Sequence, residues 1–404
     1  MERLPPQDWA AEPDTARLLD ALGVRDGDVR MVGGAVRDAL LGVAAADIDL
    51  ATVHKPAETT RRIEAAGWRA LPTGIAHGTV TALLGNRAFE VTTLRCDVTT
   101  DGRRASVTFT DDWAEDAARR DFTINALSAD PLTGAMFDYY DGATDLAVGR
   151  VRFIGEPLRR IAEDHLRILR FFRFYARFGR GAPDPAALTG CAARANDLMA
   201  LSRERVRDEL LKLLCAPGAV ATVTLMIANG ILAPILPDAT RIDDLARLVA
   251  HEAALGENCA PLRRLAALLP PDAARLDAVA HRLRLSTAER KRLAAMAARL
   301  DAVPADVRAL AYVAGVGTAR DLLLLANANA TELGELDRWQ RPTFPIGGGD
   351  LIAAGMPPGP EVAHRLRALE AAWVASGFTL GREELLNISN PCSGQADQLV
   401  RLQR

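Results

Sequence analysis

Asp47 and Asp49 stand two residues apart in the segment Asp47-Ile48-Asp49-Leu50. On a strand both carboxylates leave the same face, with Cα atoms roughly 6.5–7 Å apart, and they can converge on one metal pair. Phosphoryl transfer of the polymerase type uses two Mg²⁺ ions about 3.5–4 Å apart, one activating the attacking hydroxyl and one holding the triphosphate. A third carboxylate normally completes such a cage. Glu90 is the candidate, because alternation along Phe89-Glu90-Val91-Thr92 puts Glu90 and Thr92 opposite Phe89 and Val91. A D-x-D pair alone is more often a solvated strand-end charge, so its context decides.

That context starts at Gly33-Gly34, between a short apolar strand (Val29 to Val32) and a helix running to Leu41. Backbone N–H groups and the positive helix end could cradle a phosphate there, with Arg37 one turn in and able to reach it. An ordinary tight turn is the alternative. Further on, Arg150 to Arg180 holds nine arginines against Glu156, Glu163 and Asp164, a local basic excess suited to a polyanion. Arg167, Arg170 and Arg173 recur every three residues, which on a helix gives a slowly drifting common face with Asp164 one turn before. Phe171, Phe172 and Phe174 interleave with them and read as core contacts rather than base-stacking platforms.

Two kinds of element must position these groups. The first 150 residues alternate strand and helix signals: Pro56 suits a helix first turn and Gly67 its end, while His77 to Leu84 and Arg87 to Leu94 flank Gly85-Asn86 as a β-hairpin. After Arg150 the strand signals vanish and period-3.6 patterns take over. The expected organisation is an α/β catalytic head over 1–150, a helical neck over 151–215, and a helical body and tail over 216–404. Gly347-Gly348-Gly349 before Asp350 could mimic a phosphate loop, but without a clear preceding strand it reads as a helix start capped by Asp350.

The bulk properties bound the function less tightly. A chain of 404 residues is long for a single core, and 49% hydrophobic and 25% charged residues are those of a globular protein. The net charge of -3 does not announce a nucleic-acid binder. Lysine occurs only at Lys55, Lys212 and Lys291, so arginine carries almost all the positive charge. The cysteines form no C-x-x-C pair, which argues against a zinc site. With no signal-peptide pattern and no long apolar run, cytoplasmic localisation is expected, without a membrane or an obligate protein partner.

Gly33-Gly34-Ala35-Val36-Arg37-Asp38 followed by Asp47-Ile48-Asp49-Leu50 resembles the signature of the class II tRNA nucleotidyltransferase and bacterial poly(A) polymerase family. Three more motifs follow in order. Arg119 to Ala126 resembles RRDFT-x-NA, Glu163 to Arg167 resembles ED-x-x-R, and Glu204 to Leu213 resembles ERV-x-x-EL-x-K-L. Four ordered motifs across 33–214 make a chance match very improbable; beyond 214 the resemblance is diffuse. It implies an α/β nucleotidyltransferase (polymerase-beta-like) head with a mixed sheet, followed by all-α neck, body and tail. The tyrosine often found in the family after its TT-x-R strand is absent from Cys96 to Ala105, and no His-Asp pair signals an added phosphohydrolase domain.

Asp47 and Asp49 are the expected catalytic pair, holding Mg²⁺, with Glu90, read from strand alternation, as the candidate third carboxylate. The resemblance assigns Gly33, Gly34, Arg37, Arg120, Asp164, Arg167, Arg170 and Arg173 to the nucleotide. Thr123 and Asn125 are expected to hold their segment in place. Asp164 and Arg167 would be an amino-acid template, and the chemistry agrees: cytosine and adenine present an exocyclic amine beside a ring-nitrogen acceptor, whereas uracil and guanine present a carbonyl beside N–H. A carboxylate beside an arginine matches the first pair and mismatches the second twice. The implied activity is repair or synthesis of the 3′-terminal CCA of tRNA from CTP and ATP. A poly(A) polymerase, a partial CC-adding or A-adding enzyme and an inactive RNA-binding relative are the alternatives; the lack of an extended basic C-terminal tail favours tRNA.

Overall fold

The computed structural model describes residues 3–43, 48–100, 105–299 and 303–389. The chain forms two compact units, residues 1–237 and 238–404.

The first unit is built on a mixed sheet of seven strands. Their ranges are β1 Val29–Val32, β2 Asp49–Thr52, β3 Arg69–Gly74, β4 Thr79–Leu84, β5 Arg87–Thr93, β8 Ser128–Ala129 and β9 Met136–Phe137. Their order is β3-β4-β5-β2-β1-β8-β9, and every pairing is antiparallel except β2 with β5. A separate ribbon pairs β6 (Arg95–Thr100) with β7 (Ala105–Phe109). The hairpin predicted around Gly85-Asn86 is β4–β5, whose terminal pair is Leu84 with Arg87.

Alternation divides the sheet into two faces. Val29, Met31, Leu50, Val80, Ala82, Phe89 and Val91 enter one core with Leu18, Leu19, Ile63 and Trp68, covered by the helices Pro13–Ala21 and Pro56–Ala65. Each such large side chain contributes roughly 1.5–3 kcal/mol by leaving water. The opposite face carries Asp49 and Glu90, both exposed, and further along Ala51, which packs with Val32, Leu94 and Trp113. This division leaves the carboxylate end of the sheet open.

Helices follow the sheet, as the loss of strand signals after Arg150 predicts. Arg167–Phe178 is the most amphipathic, burying Phe171, Phe172 and Phe174 as expected; with Phe122 and Phe153 they form an aromatic cluster with centroids 4.9–6.3 Å apart. Arg203–Leu214 packs beside it. The first unit runs past residue 215 because the helix Ala219–Ala228 also packs on Arg167–Phe178, where Gly218 N donates to the Ala176 carbonyl at 2.8 Å.

The second unit is helical throughout its described residues. Its interior contains an ion network: Glu252, 1% exposed, accepts from both Arg263 and Arg264, and Asp321 accepts from Arg263 and Arg292. A second cluster gathers Tyr312, Leu351, Leu369, Trp373 and Leu385. Gly347-Gly348-Gly349 starts the helix Gly348–Ala353, and Asp350 turns back to accept from Gly347 N at 2.7 Å. It is a helix cap, as the sequence suggests.

Candidate active site

Asp49 opens β2, and β2 runs parallel to β5 with Asp49 in register with Glu90. Neighbouring strands lie about 4.8 Å apart, so the two carboxylates stand side by side on the open face, with Thr81 of β4 flanking Glu90. Asp47 lies outside the described residues; Ile48 precedes the strand and β2 is described from Asp49. Among the described residues no group of three or more His, Cys, Asp and Glu side chains is placed to hold a metal ion. The pair present nevertheless fits a hard divalent cation, because Asp49 and Glu90 offer only oxygen ligands on an exposed face.

From β1 the chain turns at Gly33 into the helix Gly34–Leu40. Gly33 has φ 65° and ψ −122°, a conformation that side-chain-bearing residues rarely adopt, and a Cβ there would lie 2.9 Å from Arg120 Nη1. Glycine thus lets the Arg120 guanidinium lie against the turn. Arg120 is oriented by Asp116 Oδ2, through Nε at 3.4 Å and Nη2 at 3.2 Å, and by the Asn125 carbonyl at 3.3 Å. Asp116 holds Arg119 as well.

Arg37, one turn in, brings its guanidinium back to the glycine turn, where a Cβ on Gly34 would lie 3.4 Å from its Nη2. It is buried, 6% exposed, donating to Asn125 Oδ1 at 2.5 Å and to Asp38 Oδ1 at 3.0 and 2.9 Å. Burial is the largest influence on its pKa and lowers it, outweighing the opposite pull of Asp38. Phe178 lies under the guanidinium at 4.4 Å. Arg37 therefore ties the glycine turn to the RRDFT segment through three of its five N–H groups.

Asp121 is the hub that the sequence did not single out. It is 8% exposed; Oδ1 accepts from Phe122 N and Asn125 Nδ2, and Oδ2 from Arg170 Nε at 2.7 Å. Thr123 Oγ1 donates to the buried Asp145 at 2.6 Å. Thr123 and Asn125 thus hold the segment, as expected. Burial, the largest single influence on Asp121, raises its pKa, but the Arg170 charge and the hydrogen bonds from Asn125, Arg170 and Phe122 N together bring it below the ordinary carboxylate value.

A folded pKa below the unfolded value means that this stabilisation is complete above about pH 3.9, and is lost as pH falls through the lower folded value. Asp121→Ala should cost about 1–3 kcal/mol, measured by denaturant unfolding at neutral pH, by leaving Asn125 Nδ2 and Phe122 N without their acceptor, while Arg170 keeps Glu209 at 3.8 Å. A midpoint unchanged from wild type would remove Asp121 from this role.

Arg170, Arg173 and Asp164 meet the ERV helix. Arg173 Nε donates to Glu209 Oε2 at 2.5 Å, Arg170 Nη1 lies 3.8 Å from Glu209 Oε1, and Arg205 Nη2 donates to Asp164 Oδ2 at 2.8 Å. The segment 204–212 buttresses the arginine helix through these ion pairs. Asp164 itself is not on that helix. It sits in extended backbone, φ −152° and ψ 106°, between the helices Pro157–Glu163 and Arg167–Phe178, and its Oδ1 accepts from Leu166 N at 3.1 Å. Arg167 opens the second helix and donates to Glu163 Oε2 at 2.6 Å and the Arg160 carbonyl at 2.8 Å, so the partner of Asp164 is Arg205 rather than Arg167.

The chain matches two family descriptions: "Poly A polymerase head domain" over residues 29–152, and "Probable RNA and SrmB- binding site of polymerase A" over residues 183–242. The mitochondrial CCA tRNA nucleotidyltransferase 1 of Mus musculus is 35% identical over 388 residues, covering 92% of this chain and 88% of that protein. The CCA-adding enzyme of Lacticaseibacillus paracasei is 31% identical over 409 residues, covering 96% and 97% respectively. Among solved structures, the CCA-adding enzyme of Bacillus stearothermophilus in complex with CTP aligns with a TM-score of 0.72 at 25% identity, covering 97% of this chain and 99% of that one. With the sheet, the in-register carboxylates and the four ordered motifs in place, the chain belongs to the family of CCA-adding tRNA nucleotidyltransferases.

Proposed function

We propose that this protein builds or repairs the 3′-terminal CCA of tRNA in the cytoplasm, transferring CMP and AMP from CTP and ATP with release of pyrophosphate. The observation that carries the reading is the register of Asp49 with Glu90 on the open sheet face, in a chain similar along nearly its whole length to CCA tRNA nucleotidyltransferases. Mg²⁺ is the ion that Asp47, Asp49 and Glu90 would hold, and when bound it supplies charge neutralisation at the triphosphate and activation of the tRNA 3′-hydroxyl.

The chain's own residues position the nucleotide. Gly33 and Gly34 keep the backbone close to the phosphates, with Arg120 beside the turn. Arg170 and Arg173, fixed by Asp121 and Glu209, present cationic edges toward the nucleotide. Arg37 acts through Asn125. Asp164 is half-exposed, and its carboxylate has acceptor capacity beyond the two hydrogen bonds it makes here, so it can receive the exocyclic amine of C or A while Arg167 donates to the ring nitrogen.

A tRNA lacking its last three nucleotides tests the activity. CTP alone should add two residues, and CTP with ATP should add three and stop. A long homopolymeric A tail would instead make the protein a poly(A) polymerase, and no extension with any nucleotide would remove the enzymatic reading.

Residues 216–404 are proposed to grip the RNA. The compact-unit boundary gives a cleaner truncation than the motif boundary, since ending the chain near 215 would strip Ala219–Ala228 from the arginine helix. A chain ended after Pro237 should keep CTP affinity within about threefold and lose tRNA affinity by roughly 100-fold or more, as several phosphate contacts disappear. Equal tRNA affinity in the folded truncation would place the grip in the first unit.

A further inference from the structure

A cavity of about 250 Å³ in the second unit is lined by Arg241, Asp244, Arg247, Arg299 and Asn327 over a floor that includes Leu248 and Leu324. Arg241 and Arg247 each form an ion pair with Asp244, and both are about half exposed. Arg299 differs from them. Its Nη2 donates to the Ala266 carbonyl, and its Nη1 is buried with no hydrogen-bond partner among the described residues.

Among the described lining residues, three guanidinium groups against one carboxylate leave a local excess of two positive charges. Burial is the largest influence on Arg299 and lowers its pKa; Asp244 opposes this, whereas the charges of Arg241 and Arg247 add to it. Guanidinium groups nevertheless stay charged. A buried, unpartnered N–H on a cation is costly unless an acceptor reaches it, and the acceptor that suits several arginines at once is a tetrahedral oxyanion held by charge-assisted hydrogen bonds.

We propose that Arg241, Arg247 and Arg299 form a phosphate-binding site in the helical second unit, separate from the nucleotide site of the first. Its occupant is a phosphate group, either a phosphodiester of the bound tRNA or free inorganic phosphate or pyrophosphate. The RNA source rests on the tRNA reading above; the free-anion source does not. Asn327, held at φ 61°, borders the same cavity.

Full-length Arg299→Gln and the double variant Arg241→Gln/Arg247→Gln separate the outcomes. The second removes only half-exposed side chains and keeps the test open should the first fail to fold. For wild type and each variant, affinity for a tRNA lacking CCA is measured against salt, and the thermal midpoint is measured with inorganic phosphate or pyrophosphate. If RNA is the occupant, tRNA affinity falls roughly tenfold and the slope of log affinity against log salt drops by about one, with the KM for CTP unchanged. If a free anion is the occupant, tRNA affinity holds, but the phosphate- or pyrophosphate-dependent rise in midpoint seen in wild type disappears. Folded variants that match wild type in tRNA affinity, salt slope and anion response overturn the site. A wild type that binds phosphate at these residues yet never extends tRNA would sink the tRNA reading while leaving the anion site standing.

Discussion

Asp49→Ala is expected to abolish C addition and A addition together, each by on the order of 10³-fold or more, since a metal-held charge contribution of several kcal/mol is lost. Asp47→Ala should do the same. One pair of carboxylates serves every step, so neither nucleotide should be spared. The fold should tolerate Asp49→Ala, because the residue is exposed at the start of β2 while the core side of that strand is carried by Leu50; exposed substitutions usually change stability by about 0.5 kcal/mol or less. Single-turnover extension of tRNA ending in CC with ATP, and of tRNA lacking all three residues with CTP, measures the two steps separately. Retained A addition beside lost C addition would require a second catalytic centre.

The carboxylate geometry was legible because strand alternation is a strong local signal. Phe89 and Val91 could face the core only if Glu90 faced away, and the hairpin turn at Gly85-Asn86 fixed where β5 began. The pairing of β2 with β5 was not legible: parallel register across some forty residues leaves no local trace in the sequence. The aromatic residues of Arg167–Phe178 were readable as core from their helical spacing.

The break before that helix was missed. Glu163-Asp164-His165-Leu166 contains neither glycine nor proline, and the helix stops there because the Asp164 side chain captures Leu166 N in place of a helical bond. The same limit hid Arg205 as the partner of Asp164 and Asp121 as the partner of Arg170, contacts spanning 41 and 49 residues. Asp121 lies inside the RRDFT motif, but nothing in the motif's spacing distinguishes it as the hub.

The pairing of Asp164 with Arg205 sharpens the second large prediction. Asp164→Ala is expected to cut the preference for CTP over UTP by roughly 5- to 150-fold, the loss of one acceptor worth about 1–3 kcal/mol. The Asp164 and Arg205 side chains are 35% and 49% exposed, and a pair so open to water contributes only about 0–1 kcal/mol to stability. The variant also loses the bond from Leu166 N to Asp164 Oδ1, worth about 0.5–1.5 kcal/mol, so selectivity is read beside a melting curve and counted only in the folded variant. Arg205→Ala is the control: it removes the same ion pair but leaves the carboxylate, and should keep the preference for C and A.

The central claim, that side chains of the protein rather than a nucleic-acid template choose the bases, is tested most directly by sequencing what Asp164→Ala adds to tRNA lacking CCA when all four nucleotides compete. Wild type should yield C-C-A. The variant should yield ends of similar length in which U or G replaces part of the C and A, while still melting cooperatively, with a midpoint lowered only by the lost Arg205 pair and Leu166 N–H bond. An active, folded variant that still writes only C-C-A, or one that loses all four nucleotides in parallel, would contradict the account.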